Sequence, residues 1–300
     1  MVAGPANAAV TEAGAPDSRT AFARRFSIEA TRPGAPEIAS LAAMLPAGTD
    51  VYLSAVPKLD ADELVATAAT LRRGGLEPVI HIAARRYASA EQLSEVLKRL
   101  TGEAGVRRLL VIGGDVTPAG PFPDALAVLQ KGGLRAAGIE QIGIAAYPEG
   151  HASIPPGRLE AAIDEKIASA VALGLTAHIV SQFSFSSERI LAWLRQLRAS
   201  GITVPVKVGM AGPTSVPALL RYAKRCGVTA SLRGLVSGVA TGLIGHVGPD
   251  RIIDGLAAAS DVGDVAPHYF SFGGVVETAS YACEAARGTS GTSRAMASHN

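Results

Sequence analysis

An apolar run that ends abruptly in a polar loop is the part of this sequence best suited to chemistry. Residues 142–146 are Ile-Gly-Ile-Ala-Ala, and residues 147–151 are Tyr-Pro-Glu-Gly-His. In a parallel α/β barrel the strands are buried and apolar, and the loops after their carboxyl ends carry the active site. An aromatic ring, a rigid proline turn and one imidazole, with no second histidine nearby, suit a planar heterocycle better than a metal ion. Tyr147 and His151 are therefore candidate binding residues, and we expect no metal.

Polar side chains also stand at the ends of other apolar runs. Glu29 follows Phe26-Ser27-Ile28, where burial would raise the pKa of its carboxyl towards that of a useful general acid. A salt bridge to a nearby arginine is the alternative. Asp115 follows a Gly-Gly turn that lets a flat ligand approach the backbone, or it caps the next turn. His81 and Gln182 likewise end apolar runs, which in a barrel favours a role in the site.

The segment Gln182-Phe183-Ser184-Phe185 favours the same kind of ligand. A carboxamide can pair with the amide-like edge of a heterocycle while an aromatic ring stacks upon it. Core packing is the alternative for either phenylalanine, and we expect it for one of them. His178 lies inside its strand and is expected to be a packing histidine.

The elements that must position these side chains are short apolar runs alternating with amphipathic stretches, the pattern of repeated βα units. The predicted strands are Arg25–Ala30, Asp50–Val56, Glu77–Ile82, Arg108–Gly113, Gln141–Ala146, Ala177–Gln182, Val204–Gly209 and Val265–Ser271. The predicted helices include Ala61–Arg73, Ala90–Leu100, Asp124–Leu129, Arg158–Leu173, Ser187–Ala199 and Val216–Arg225, and suitable left-handed C-caps are Gly74, Gly174, Gly201 and Gly227.

Eight such alternations predict an α/β fold in the form of a single closed (βα)₈ TIM barrel. Residues 228–243 and 251–259 both look helical without a strand between them, which predicts an extra helix before the last strand. A doubly wound open sheet is the alternative, although no Gly-x-Gly-x-x-Gly directly follows a predicted strand. We expect a flexible arm over residues 1–20, the barrel over 21–290 and a disordered tail over 291–300.

Composition restricts the function classes. The chain has 300 residues, 48% of them hydrophobic and 18% charged, and a net charge of +2. Because no stripe of Lys and Arg is interleaved with aromatics, nucleic acid is not an expected partner. Cys226 and Cys283 lack a metal-type spacing and predict a reduced, cytoplasmic protein. No stretch approaches the roughly 20 consecutive apolar residues of a membrane span.

Taken together, the strand-end residues resemble the methylenetetrahydrofolate reductase family, flavin-dependent barrel enzymes of one-carbon metabolism that serve methionine biosynthesis. The likeness extends from Phe26 to about Ala282. The resemblance makes Glu29 the family's general acid and places Asp115 near flavin N1. Its most specific part is the run from Ala145 through Ala146, Tyr147 and Glu149 to His151, on the cofactor side. Close behind is Ser181-Gln182-Phe183, which is similar to the family's folate-contacting Gln and Phe.

Weaker correspondences and departures accompany these matches. The resemblance makes Ser54 and His81 flavin contacts, includes His268-Tyr269-Phe270 in the last strand, and matches Lys166 to a family lysine. Family members carry Arg where this chain has Gly113, and the loss of a charge-assisted contact there would weaken FAD binding. The residues after Glu29 lack the family's aromatic and lysine side chains, so a preference for NADH or NADPH does not carry over.

The resemblance implies an oxidoreductase that interconverts methylenetetrahydrofolate and methyltetrahydrofolate, using FAD and NAD(P)H. A flavin-independent folate oxidoreductase and a folate-dependent methyltransferase on the same barrel are alternatives. A non-catalytic folate-binding barrel is a third, and Glu29 argues against it. The partners implied are tetrahydrofolate derivatives and NAD(P)H, and a homo-oligomer stays open.

Overall fold

Eight parallel strands close into a barrel in the structure, a computed structural model that describes residues 17–56, 60–226, 228, 246–247 and 249–288. The strands are β1 Ser27–Ala30, β2 Asp50–Leu53, β3 Glu77–Ala83, β4 Arg108–Ile112, β5 Gln141–Ala146, β6 Thr176–Ser181, β7 Val206–Ala211, β8 Thr214–Ser215, β9 His246–Val247 and β10 Val265–Phe270. The short β8 and β9 form a separate antiparallel pair, and the other eight make the barrel, with β1 closing against β10. The predicted (βα)₈ barrel is confirmed.

Helices follow the strands along the chain. They are α1 Ser18–Ala23, α2 Ala35–Met44, α3 Ala61–Arg73, α4 Ala90–Glu103, α5 Ala125–Lys131, α6 Pro156–Ala172, α7 Ser187–Ala199, α8 Val216–Cys226, α9 Asp250–Ala257 and α10 Val275–Arg287. Both α8 and α9 lie between β7 and β10, which confirms an extra helix before the last strand. The expectation of no strand between residues 228–243 and 251–259 is wrong, because the two-residue β9 lies there and pairs with β8. None of the helices in the described part of the chain is long and apolar enough to cross a lipid bilayer.

Local sequence explains where several helices begin. Asp60, Ser89, Asp124 and Ser186 each accept a hydrogen bond from a backbone amide in the first turn of the helix that follows. Such N-caps satisfy amide donors that have no partner within the helix. In α4 the buried residues are Leu93, Leu97 and Leu100, the helical spacing that turns one face towards the barrel wall.

The first helix covers part of the segment that was expected to be a flexible arm. Helix α1 begins at Ser18, so the segment Ser18–Thr20 is helical rather than part of a flexible arm. The helix is held because Arg19 forms ion pairs of 2.7 Å with both Asp250 and Asp254 of α9. Residues 1–16, Gly227, nearly all of the predicted helix 228–243 and the predicted tail 291–300 lie outside the described residues.

The glycine caps also need one correction. Gly174 and Gly201 are left-handed as predicted, with φ of 66° and 87°. Gly74, however, has φ of −75°, and the next residue, Gly75, is the left-handed one at 79°. A Cβ on Gly74 would lie 2.9 Å from the Cβ of Ala42. Gly74 therefore permits α2 and α3 to approach closely.

The barrel interior differs from the surrounding core. Between the strands and helices lies one large apolar cluster. Inside the barrel the apolar cluster is small, consisting of Tyr52, Val79, Leu110 and Val180 with Ile112 against it. Alternate residues of each strand face inward. The inward face therefore also carries polar side chains such as Glu29, His81, His178 and His268, together with small residues such as Gly143 and Gly209.

Candidate active site

Glu29 lies inside the barrel near the carboxyl end of β1, with 13% of its side chain exposed. Ser54 Oγ donates a hydrogen bond of 2.6 Å to its Oε1. Oε2 lies 3.5 Å from His268 Nε2 and 3.7 Å from His81 Nε2. We call Glu29, Ser54, His81 and His268 the acid cluster. It brings together three residues expected in the site, Glu29, Ser54 and His81.

The alternative salt bridge of Glu29 to a nearby arginine is not what the structure shows. Arg25 pairs with Asp264 at 2.6 Å, and Arg32 pairs with Glu63 at 2.6 Å. Both arginines are directed to carboxylates on the outside of the barrel. The carboxylate of Glu29 instead faces groups of the barrel interior.

The expected direction of the Glu29 pKa is wrong. Burial raises the pKa of the carboxyl, but positive charge on His81 and His268, with hydrogen bonds from His268 and Ser54, outweighs burial and lowers it below its usual range. Burial in turn lowers the pKa of both imidazoles. At neutral pH the free protein therefore holds Glu29 in its ionised form.

His268 is the site residue that the sequence indicated only weakly. It is fully buried on β10, beside β1 in the closed barrel. Ser27 Oγ lies 2.9 Å from its Nδ1, so this bond orients the ring with Nε2 towards Glu29. His81 Nε2 has no hydrogen-bond partner among the described residues. A small rotation or a bound ligand can therefore bring that nitrogen into a hydrogen bond.

Tyr52 supports the acid cluster from below, and no sequence signal identified it as a site residue. Its ring is fully buried and meets the ring of His268 edge-on, with 4.6 Å between centroids. Its hydroxyl lies 2.7 Å from Nε2 of His178. Burial lowers the pKa of His178 to about 3, so this ring is neutral. His178 is buried as predicted, but it packs inside the barrel.

An ion cluster occupies the opposite end of the barrel. Asp50, at the start of β2, pairs with Lys207 Nζ at 2.6 Å and with Arg108. Burial raises the pKa of Asp50, but the two cations outweigh burial and lower it. We call Asp50, Arg108 and Lys207 the interior ion cluster. It lies at the amino ends of the strands, away from the catalytic mouth of a barrel.

Asp115 lies on the loop after β4. Its side chain is 66% exposed, and its Oδ1 accepts a hydrogen bond of 3.1 Å from Arg86 Nη2. Arg86 follows β3, so the pair bridges the loops of neighbouring strands. Arg86 was not predicted as a site residue, because the partner of an isolated arginine is not visible in sequence.

The loop after β5 presents the aromatic and imidazole pair expected there. The rings of Tyr147 and His151 meet at 73°, with 4.9 Å between centroids. His151 Nδ1 accepts a hydrogen bond of 3.2 Å from the amide of Ser153. Ala146 is buried, and its carbonyl accepts 2.8 Å from the amide of Gln182. The side chain of Ala146 is therefore covered, and its carbonyl is engaged within the barrel wall.

Gln182 and Phe183 follow β6 but have different environments. Gln182 is partly exposed, and its Oε1 accepts a hydrogen bond of 3.1 Å from the amide of Phe183. Phe183 is only 1% exposed, with its ring packed against those of Phe185, Phe270 and Phe272. Phe183 is thus the phenylalanine of the segment that packs in a core, and Phe185 is partly exposed.

Lys166 is not brought to the mouth. It lies on α6, beside Ile163 and Ile167, which pack against the outer core. At 1.5 Å per residue it is about 15 Å along the helix from Pro156. Burial lowers its pKa, and Asp124 opposes this. Among the described residues, no group of three or more histidine, cysteine or acidic side chains is arranged to hold a metal ion.

Comparison with known proteins places these observations in context. A family model described as methylenetetrahydrofolate reductase matches residues 35–232. A 5,10-methylenetetrahydrofolate reductase from Pectobacterium carotovorum subsp. carotovorum is 29% identical over 152 residues, which are 50% of this chain and 49% of that protein. The chain therefore spans about half the length of this curated relative. Glu29 and His268 lie outside the matched range 35–232.

Two solved structures share a looser likeness. Dihydropteroate synthase from Thermus thermophilus gives a TM-score of 0.47 at 15% identity, over 88% of this chain and 93% of that one. A conserved protein of unknown function from Enterococcus faecalis gives 0.38 at 11% identity, over 63% and 49% of the two chains.

Proposed function

This chain belongs to the methylenetetrahydrofolate reductase family, and from that premise we propose that it interconverts methylenetetrahydrofolate and methyltetrahydrofolate at the barrel mouth. The observation that carries the proposal is the acid cluster. A buried carboxylate at the end of the first strand, within 4 Å of two imidazoles, is a device for moving one proton. Opening the bridged ring of the substrate requires one such proton.

Glu29 is the proposed proton donor. In the reductive direction its carboxyl protonates the bridging amine, the bond from that nitrogen to the methylene carbon breaks, and the electron pair stays on nitrogen. The iminium carbon left behind then accepts a hydride. Because the free carboxyl is ionised, the substrate must first raise its pKa. A bound folate does so by covering the exposed part of Glu29 and excluding water.

Gln182 is proposed to hold the pterin. Its Oε1 is engaged by the amide of Phe183, which leaves the amide nitrogen of the carboxamide free to turn towards a ligand acceptor. Phe183 supports this arrangement as packing beneath Gln182 rather than as a stacking ring, since its ring is covered. Gln182 therefore contacts the substrate, and Phe183 packs beneath it.

FAD, the cofactor implied by the family, would relay hydride between NAD(P)H and the folate when bound. The mouth fits such a group in several places. Asp115 would adjust the charge around the ring system, and Tyr147 with His151 offers an aromatic wall. A Cβ on Gly113 would meet nothing within 4 Å, so there is space for a ligand beside it. His81 and Ser54 would serve the cofactor only through the acid cluster.

Direct hydride transfer from NAD(P)H to the folate is the second candidate. It is favoured by Gly113, which offers no cation where the family carries Arg, and by Lys166, which lies on an outer helix. A folate-dependent methyltransferase would use the same pterin residues. The nitrogen that loses its methyl group also takes up a proton, so the acid cluster suits either reaction, and the family match is what favours reduction.

An anaerobic assay with purified protein tests the proposal. Methylenetetrahydrofolate and NADH or NADPH are supplied with and without added FAD, and methyltetrahydrofolate is measured together with the absorbance spectrum of the protein. FAD-dependent product supports the flavin route, and equal product in flavin-free protein supports direct transfer. Folded protein that gives no conversion in either direction, with or without FAD, refutes the proposed function.

A further inference from the structure

We propose that Arg86 is an anion-binding residue that holds a phosphate of a dinucleotide at the barrel mouth. The inference rests on the proposed function, because that reaction needs at least one dinucleotide, either FAD or NAD(P)H. Both ligands carry a diphosphate, so one guanidinium could serve either. No sequence motif points to this residue.

The loop that carries Arg86 is fixed against the loop after β4. The amide of Arg85 donates a hydrogen bond of 3.0 Å to the carbonyl of Gly113. The amide of Ala119 donates one of 2.9 Å to the carbonyl of Arg85. The Arg85 side chain adds bonds of 2.7 Å to the carbonyl of Pro123 and 3.3 Å to that of Gly114. These contacts fix the position of the Arg86 backbone relative to the glycine turn in the ligand-free protein.

Arg85 and Arg86 differ in how their guanidinium groups are used. Arg85 is directed into main-chain carbonyls and is a structural tie. Arg86 makes one side-chain hydrogen bond among the described residues, to Asp115, although only 23% of its side chain is exposed. A guanidinium has five N–H donors. Arg86 therefore retains donors at the mouth, on a side chain that is already partly ordered.

The glycine turn that precedes Asp115 leaves room for a phosphate. A Cβ on Gly113 would meet nothing within 4 Å, and Gly114 has φ of 92°, which a residue with a side chain rarely adopts. Two successive residues without side chains let a ligand approach the backbone. Arginine binds phosphate through parallel charge-assisted N–H bonds. Asp115 holds the guanidinium through one bond and leaves it cationic.

Arg86→Gln removes the charge but keeps a polar side chain, and Arg195→Gln is the matched control. Arg195 forms a 2.7 Å ion pair with Asp261, with both side chains about half exposed, on α7 outside the barrel. Calorimetric titration with FAD, with NADH and with NADPH, each alone, identifies the ligand concerned. We expect Arg86→Gln to weaken binding of at least one of them about 10- to 100-fold, with a smaller dependence of affinity on salt.

A rescue variant separates a charge effect from a general disturbance of the loop. Since a Cβ at position 113 would meet nothing within 4 Å, Gly113→Arg in the Arg86→Gln background should restore most of the lost affinity. Arg195→Gln should bind as the wild type does, and all variants should keep the wild-type melting temperature within a few degrees.

The outcomes distinguish this inference from the proposed function. Unchanged binding of all three dinucleotides by Arg86→Gln overturns the inference while folate turnover still supports the function. Absence of dinucleotide binding by the wild type also overturns it. Loss of folate turnover in wild-type protein that binds a dinucleotide refutes the function and leaves the anion site standing.

Discussion

Replacing Glu29 with glutamine should stop turnover without unfolding the protein. Glutamine has nearly the same shape, its carbonyl can still accept the 2.6 Å bond from Ser54, and its amide can donate to His268. Because the substitution also removes a buried charge, we expect the free energy of unfolding to change by less than about 1 kcal/mol. A positioned general acid contributes about 10²- to 10⁴-fold to rate, and the loss of kcat should fall in that range.

The pH dependence gives a sharper test, because the structure fixes its sign. The pKa of Glu29 in the free protein lies below its usual range, so at pH 7 only a small minority of molecules carries the proton. The value of kcat/KM for reduction should therefore rise about tenfold for each pH unit lowered between pH 8 and pH 6.5. In the oxidative direction Glu29 accepts the proton, and the same profile should be flat.

Substrate binding should shift this dependence. A ligand that excludes water from Glu29 raises its pKa, so the apparent pKa seen in kcat should lie above that seen in kcat/KM. Steady-state rates measured in both directions, for the wild type and for Glu29→Gln, check these expectations. The control is Glu140→Gln, which removes a carboxylate that is 66% exposed and should leave the rates unchanged. A flat reductive profile, or near-normal reduction by folded Glu29→Gln, would refute the reasoning.

Three further changes test other parts of the barrel. Gln182→Ala should weaken folate binding about tenfold, the loss of one hydrogen bond to a ligand, with little effect on melting temperature; unchanged affinity in a folate titration would contradict the pterin role. Asp50→Asn leaves both cations of the interior ion cluster without their carboxylate and should cost about 3 kcal/mol in urea unfolding at pH 7. That cost should shrink as pH falls from the ordinary pKa of an unfolded aspartate towards the lowered pKa of Asp50 in the folded protein, and a cost that stays constant across this acid range would contradict the assignment. Gly209→Ala places a Cβ 2.4 Å from the carbonyl oxygen of Ser181 and should destabilise by about 1–3 kcal/mol, whereas Gly102→Ala, with nothing within 4 Å, should not; equal stabilities would show that the backbone relaxes at no cost.

Most residues of the candidate site could be predicted from the sequence, because each directly follows an apolar run and is recognised from its neighbours in the chain. Glu29 and Gln182 each follow an apolar run, and each lies at the mouth where the runs predicted it. The family likeness added roles to these residues. Two other roles that it assigned do not fit the structure. Lys166 lies on the outer side of the barrel, and the ring of Phe183 is covered by other aromatic rings.

The sequence by itself determined the eight strands, their alternation with helices and hence the barrel, because a run of apolar residues between turn and cap residues is set by neighbours in the chain. Only the tertiary structure decided what surrounds Glu29. His268 reaches it across a separation of 239 residues, since closing the barrel sets β1 beside β10. That closure brings His268 to a carboxyl that β3 already faces with His81. Burial alone would raise the pKa of Glu29, and the two imidazoles reverse the direction in which it moves.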